Sequence, residues 1–218
     1  MIDLAIIPAR GGSKRILNKN IKMFCGKPLI EWTVDAVEKS ESVKDYVIST
    51  DIPKILEKYS KAVKRPEELC GDEVYMSSVI KELLTHYPRS VETIAIMQVT
   101  SPLRIAQDIN ETARLYDDQN ANWTVVSVEP LTVPKRMYNE HEEPLDFQTE
   151  HRSQEEPEIY WARNSAIFIF SRTYFEATNR FLTDKQTLYK MPKSRSIDIN
   201  EPEDWMMAEA LMKARLGQ

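Results

Sequence analysis

Ile6-Ile7-Pro8-Ala9-Arg10-Gly11-Gly12-Ser13-Lys14-Arg15 runs on through Asn18-Lys19-Asn20 to Gly26-Lys27-Pro28. No acidic residue occurs between Leu4 and Ile30, whereas Arg10, Lys14, Arg15, Lys19, Lys22 and Lys27 are all basic. Six positive charges are thus gathered in a chain whose formal net charge is -5. Positive charge beside a Gly-Gly-Ser turn suits a polyphosphate. Glycines let backbone N–H groups approach, and Lys and Arg neutralise the oxygens. Most basic runs are solvated surface loops. This one follows an apolar segment and precedes a helix-like one, where α/β proteins place phosphate loops. The P-loop pattern and the dinucleotide pattern G-x-G-x-x-G are both absent, which argues against a P-loop kinase and a Rossmann dehydrogenase.

At 218 residues the chain suits one α/β domain with a sizeable core. Apolar residues make up 42% and charged residues 29%, the balance of an ordinary soluble protein. The pI near 5.4 argues against general nucleic-acid binding, because the positive charge is local. No apolar run is long enough to span a membrane and no signal-peptide pattern opens the chain, so a cytoplasmic protein is expected. Cys25 and Cys70 lack metal-ligand spacing and read as reduced thiols.

Apolar periodicity gives the order of elements. Met1 to Pro8 reads as a buried strand, and Pro28 as the first residue of a helix running to about Ser40. Tyr46–Thr50 is a second strand, with Asp51 expected to cap a helix that continues to about Ser60. A brief strand near Ala62–Val63, a helix over Val74–Tyr87, a strand over Thr93–Val99, a helix over Ile105–Gln119 and a strand over Trp123–Val128 follow. From Glu129 to Glu158 the chain is polar and Pro-rich, which predicts a lid or interaction arm. Ala166–Phe170 is again strand-like, Ser196–Asn200 reads as a last short strand, and Pro202 to about Ala214 as the closing helix. The alternation predicts a doubly wound, mainly parallel sheet with helices on both faces. Ligands in such sheets sit at the carboxyl ends of the strands, where the Gly-Gly-Ser loop, Ser49-Thr50-Asp51 and Thr100-Ser101-Pro102 all fall.

Those motifs, with Arg65-Pro66-x-x-Leu69, Gln98-x-Thr100-Ser101-Pro102-Leu103-Arg104, Asn164-x-Ala166-Ile167 and Ser196-Ile197-Asp198-Ile199, occur in an order that resembles the acylneuraminate cytidylyltransferases. These are the CMP-sialic acid synthetases and their relatives for bacterial nonulosonic acids. The resemblance covers nearly the whole chain, and its ordered set of motifs is far more specific than any one of them. It implies a nucleotide-diphospho-sugar transferase fold over residues 1–218, with about 130–162 as a protruding dimerisation and sugar-site arm of a homodimer. The implied reaction transfers CMP from CTP to the anomeric hydroxyl of a nine-carbon 2-keto sugar acid, with Mg²⁺ required and pyrophosphate released.

Residue by residue, the resemblance implies that Arg10 and Lys14 hold the phosphates and stabilise developing charge. Gly11, Gly12, Ser13, Lys19, Asn20, Arg65 and either Ser77 or Ser78 complete the nucleotide site. Arg65 rests mainly on the resemblance, since a lone Arg-Pro is more often a helix-entry turn. Gln98, Thr100, Ser101 and Asn164 would meet the sugar, and Lys135 and Arg152 its carboxylate, for which Arg offers bidentate geometry. Asp198 with Asn200 would form the metal site; an isolated Asp there would otherwise read as a helix cap. The chain departs from the family pattern at Asn200, where a second Asp is common, at Ser165 for Gly, at Phe168 for Tyr and at Leu17 for Pro. Two alternatives stand beside the main reading. One is a nucleotidyltransferase for another NTP or a 3-deoxy-octulosonate; the other is a catalytically silent nucleotide-binding relative.

Overall fold

The computed structural model describes residues 1–118, 124–132, 137–138, 144–145 and 159–218. In chain order the elements are β1 (Leu4–Pro8), β2 (Met23–Phe24), β3 (Lys27–Pro28), α1 (Leu29–Glu38), β4 (Tyr46–Thr50), α2 (Pro53–Lys58) and β5 (Ala62–Lys64). They continue with α3 (Met76–Leu84), β6 (Thr93–Met97), α4 (Ala106–Asp118), β7 (Thr124–Thr132), β8 (Met137–Tyr138) and β9 (Pro144–Leu145). The last are β10 (Ile159–Ser171), α5 (Arg172–Thr178), β11 (Gln186–Lys190) and α6 (Pro202–Leu216).

Seven strands form one sheet in the order β11-β7-β10-β6-β1-β4-β5. β1 lies parallel to β4 and β6, β5 is parallel to β4 and β11 to β7, while β10 runs antiparallel to both of its neighbours. The central strand explains the apolar run at the start of the chain. Leu4 and Ile6 enter one apolar layer and Ala5 and Ile7 the other, so β1 is buried on both faces. Residues of α1, α2, α4 and α6 fill the first layer with Val34, Ile55, Ile109 and Trp205. Residues of α3 and α5 fill the second with Val79, Leu83 and Phe175. The expected doubly wound, mainly parallel sheet is therefore present.

Several boundaries and roles differ from the sequence reading. Pro28 is the residue before α1 rather than its first turn, because it pairs with Met23 in the β2–β3 hairpin. Asp51 does not cap α2: that helix starts at Pro53 with Ile52 at its cap position and no side-chain cap. Its carboxylate instead accepts the Gly11 amide. Ser196–Asn200 is not a strand. It follows a 3₁₀ turn, and its backbone tie to the sheet is the Ile199 N–H donating to Thr100 O at 2.8 Å. The strand-like alternation there arises because Ile199 is buried between two half-exposed residues, Asp198 and Asn200. β7 and β10 reach further than expected, pairing to Thr132 and Ile159, so sheet structure enters both ends of the 130–162 segment. Among its described residues, β8 and β9 form a separate two-stranded hairpin. α5 and β11 were not anticipated.

Within β10 the register shifts between Arg163 and Phe168, and Ser165 at this bulge has φ +60°. A Cβ in the left-handed region costs about 1–2 kcal/mol, which is why glycine is common at such positions. Ser165→Gly is expected to raise stability by about 1 kcal/mol. A urea titration checks this as a higher midpoint at unchanged slope; a lower midpoint would show that the serine side chain contributes more than its backbone loses.

Candidate active site

The site is built at the carboxyl ends of β1, β4 and β6. Directly after β1 the basic loop is laid onto the core by two apolar anchors, Ile16 and Phe24. The Phe24 ring meets Trp205 of α6 edge-on at 5.1 Å, and Lys22 lies over the same indole. Asn20 is buried and donates to Arg10 O at 2.8 Å, which fixes the backbone beneath the first cation. Thr50 donates from its hydroxyl to Ala9 O at 2.6 Å and accepts from Ile52 N–H, tying the loops after β1 and β4 together.

The two glycines serve different needs. Gly12 has φ +70°, a conformation that favours glycine. At Gly11 a Cβ would stand 3.3 Å from the Asp51 carboxylate, whose Oδ1 accepts the Gly11 N–H at 2.5 Å. Arg10 donates to Cys70 O at 3.2 Å and pairs with Asp72 at 2.5 Å, and Lys14 reaches the other oxygen of Asp72 at 2.6 Å. The two hydrogen-bonded cations, Lys14 foremost and then Arg10, hold the Asp72 carboxyl below the usual carboxylate range. Ser13 is half-buried beside them.

A cleft of about 430 Å³ opens next to this loop, lined by Asp51, Lys64, Arg65, Pro66, Glu67 and Cys70. Arg65 is buried, and its guanidinium donates to the Ser49 hydroxyl at 3.0 Å and to Ser49 O at 3.1 Å. Burial lowers its pKa, as expected for a cation without a bonded carboxylate. Cys70 lines this cleft, and burial pushes its thiol up, with Asp51 adding to the effect. Ser77 sits half-buried in the first turn of α3.

Across the loop, Lys19 donates to Ile199 O at 2.7 Å. Burial lowers its pKa, and nearby Asp198 partly offsets that shift. Asp198 Oδ1 is buried and has no partner among the described residues, while Oδ2 accepts from the Asn200 amide at 3.1 Å. An orphaned carboxylate oxygen fits a cation held mainly by phosphate oxygens and water. Asn200 fits less directly, since its amide N–H₂ faces the carboxylate and its carbonyl would have to turn inward. Among the described residues no cluster of three His, Cys, Asp or Glu side chains gathers to hold a metal by itself. Asp204 accepts from the Asn200 and Glu201 N–H groups in a capping box that starts α6, so the helix fixes the carboxylate segment.

Among the residues expected at the sugar, Gln98 is half-exposed just after β6 and Thr100 O accepts the Ile199 N–H. The other two expected sugar contacts among the described residues are both buried. Ser101 is fully buried, and its hydroxyl has no partner among the described residues. Asn164 is buried at the β10 bulge with its amide bonded internally. It donates to Ser196 Oγ at 2.9 Å and Met191 Sδ at 3.3 Å and accepts from Ser127 Oγ at 2.6 Å and Ala166 N at 3.3 Å. Its hydrogen-bonding capacity is used within the protein, so it acts as a joint here. Lys135 and Arg152 lie outside the described residues. The sequence reading missed Arg104, fully buried, whose Nη1 donates to Gln98 O at 3.2 Å and Ala166 O at 2.7 Å; burial lowers its pKa to about 10. Its position in Thr100-Ser101-Pro102-Leu103-Arg104 was visible, but its role was not.

A sequence profile described as Cytidylyltransferase matches residues 4–211. The chain belongs to the cytidylyltransferase family. Among curated relatives of this cytidylyltransferase, an N-acylneuraminate cytidylyltransferase of Escherichia coli is 31% identical over 99% of the chain. A CMP-N,N'-diacetyllegionaminic acid synthase of Legionella pneumophila is 29% identical over 96%, and a pseudaminic acid cytidylyltransferase of Campylobacter jejuni 29% over 98%. The chain spans 53% of the E. coli relative's length, but 96% and 97% of the other two. A solved structure of CMP:2-keto-3-deoxy-manno-octonic acid synthetase complexed with CTP superposes with TM-score 0.72 at 15% identity, covering 98% of this chain and 99% of that one. A 4-diphosphocytidyl-2C-methyl-D-erythritol synthase from Anaerococcus prevotii superposes at 0.68 and 15% identity, covering 96% and 95%. At such identities these two speak for the fold of this cytidylyltransferase.

Asn164→Ala is expected to destabilise the fold by about 1–3 kcal/mol, because it leaves buried partners unsatisfied. Thermal and denaturant melts check this. A wild-type melt with a raised KM for the sugar acid would show instead that the side chain turns toward substrate.

Proposed function

We propose that this chain is a Mg²⁺-dependent cytidylyltransferase that moves CMP from CTP to the anomeric hydroxyl of a sialic-acid-like nonulosonic acid. The observation that carries the reading is the Gly11–Gly12 loop at the end of β1, with Arg10 and Lys14 beside it and Lys19 and Asp198 across it. In the reaction the anomeric hydroxyl gives up its proton to solvent as its oxygen bonds the α-phosphorus, the bond from that phosphorus to the bridging oxygen breaks, and pyrophosphate leaves. Arg10 and Lys14 would bind non-bridging oxygens and stabilise charge that grows as the bond breaks. The Gly11 and Gly12 backbone would let the phosphates approach, with Ser13 and the buried Asn20 keeping the turn in place. Lys19 would hold a further phosphate oxygen, and Arg65 and Ser77 the nucleoside side. Gln98 and Thr100 would face the sugar acid.

Asp198 would hold Mg²⁺, joined by the Asn200 carbonyl once its amide turns. The bound ion supplies charge neutralisation on the phosphate oxygens. The relatives are named for three different acids, N-acylneuraminate, N,N'-diacetyllegionaminic acid and pseudaminic acid, so the reading extends to the class rather than to one sugar. The 130–162 segment would act as the dimerisation arm of a homodimer and bring Lys135 and Arg152 to the sugar carboxylate. Among the described residues no helix is long and apolar enough to cross a membrane, in keeping with the cytoplasmic setting we propose. A second reading, a nucleotide-binding relative without turnover, is favoured by one feature: Asn200 offers Asp198 a hydrogen-bond donor where a second carboxylate is common.

Pyrophosphate release, measured with Mg²⁺ across the four NTPs and a panel of nine-carbon and eight-carbon sugar acids, decides between them. Release with CTP and one nine-carbon acid is expected; CTP binding without turnover anywhere on the panel would establish the silent reading. Arg10→Ala and Asp198→Ala should each lower kcat by roughly 10²–10³-fold with the melt intact. A lost cooperative melt would make either residue structural. Arg152→Ala should raise the KM for the sugar acid and leave that for CTP unchanged; a selective CTP defect would refute the carboxylate assignment.

A further inference from the structure

Arg10, Lys14 and the Gly11 amide are the groups of the loop suited to an anion, and each already has a carboxylate partner within the chain. Asp51 takes the Gly11 N–H at 2.5 Å. Asp72 takes Arg10 Nη2 at 2.5 Å through one oxygen and Lys14 Nζ at 2.6 Å through the other. Asp72 therefore bridges the two cations as a phosphate with two non-bridging oxygens would. It reaches them from the turn after Cys70, whose carbonyl also accepts Arg10 Nη1 at 3.2 Å. The pairs themselves are open to water: the Asp72 side chain is 38% exposed and that of Lys14 82% exposed. Pairs this exposed are weak and exchange with solvent readily. A phosphate carrying more charge than one carboxylate can displace Asp72 without unfolding anything.

We propose that Asp72 is an internal competitor for the phosphate cradle, a specificity-determining residue that any phosphate must displace from Arg10 and Lys14 before it binds there. The proposal rests on the nucleotide reading of the loop given above. Its consequence is selectivity. Inorganic phosphate, with only slightly more charge than the carboxylate it would displace, repays the loss of the two ion pairs only in part, whereas a di- or triphosphate carries several charges and replaces both at once. The turn that carries Asp72 leaves the 430 Å³ cleft at Cys70, so the competitor stands beside the proposed nucleotide site. Lowering of the Asp72 pKa by its partners keeps the carboxylate charged, and the competitor in force, across the neutral range.

The test is calorimetric titration of the full chain with inorganic pyrophosphate, inorganic phosphate and CTP, comparing wild type with Asp72→Asn and Asp72→Ala. Both variants are expected to bind pyrophosphate roughly three- to tenfold more tightly, from the loss of two exposed pairs. They are also expected to bind inorganic phosphate measurably where wild type does not. A merely structural role could only weaken binding. Unchanged or weaker pyrophosphate binding in both variants, with melts intact, would overturn the proposal and show that Asp72 positions Arg10 and Lys14 for the ligand. Tighter pyrophosphate binding together with no CTP binding in any form would leave the competitor standing and remove the nucleotide reading. Absence of pyrophosphate binding in all three proteins would overturn both.

Discussion

The Gly11 N–H donating to the Asp51 carboxylate is the contact on which the site depends. It joins the loops that leave two adjacent parallel strands, β1 and β4, at the edge where α/β sheets bind ligands. A backbone amide bonded to an ionised carboxylate is a charge-assisted bond, roughly twice as strong as a neutral one. The Thr50 hydroxyl on Ala9 O adds a second tie between the same loops. With both in place, the loop cannot slide along the sheet edge, and the direction in which Arg10 and Lys14 leave the backbone is set by the sheet. Gly11 follows from this geometry, because a side chain there would press on the carboxylate that holds it.

The same logic explains which parts of the molecule were legible in the sequence. β1, β4 and β6 are buried on both faces, and a strand with two apolar faces appears as an uninterrupted apolar run. α3 was legible because its buried residues, Val79, Ile80, Leu83 and Leu84, recur at helical spacing. β11 was not. It is an edge strand with one neighbour, and the exposed face that carries Lys190 also carries Leu188, so polar and apolar residues do not alternate along it. α5 has seven residues, too few for a periodic pattern, and it is ordered by its tertiary contacts instead. Arg172 at its start donates to the carbonyls of Leu84, Tyr87 and Pro88, closing the end of α3. Nothing local in the sequence announces that pairing.

Within the candidate site, cations were legible and their partners were not. Arg10 and Lys14 stand in a run with no acidic neighbour, which composition alone reveals. Asp51 and Asp72 lie 40 and 62 residues from the groups they bind, and each has a plausible local role as helix cap or turn residue. Local roles are the default for Asp because its short side chain reaches its own backbone easily. Here the Asp51 carboxylate is turned to the Gly11 N–H instead of the helix terminus, and α2 begins without a side-chain cap. The alternation around Asp198 misled for a related reason. Burial of Ile199 beside a half-exposed carboxylate imitates a strand, although its main-chain tie to the sheet is made to Thr100.

Two buried polar joints set how the β6–β10 part of the site meets the basic loop. Arg104 links the end of β6 to β10 through the carbonyls of Gln98 and Ala166, and Asn164 links β10 to β7 and to Ser196 just before Asp198. Apolar side chains could fill the same volume and avoid the desolvation penalty, which is large for a guanidinium without a bonded carboxylate. What apolar contacts lack is direction. A bulge with Ser165 at positive φ has no regular ladder to hold its register, so its carbonyls need donors at fixed positions. Arg104 and Asn164 supply those donors, and through Ser196 the position of the bulge is passed to the segment that carries Asp198. The cost of burying these groups is borne by the β1–β6 core beside them, where the apolar side chains are almost fully enclosed. A rigid parallel core thus supports an irregular antiparallel edge, and the carboxylate opposite the basic loop is positioned by that edge rather than by the strand that carries the loop.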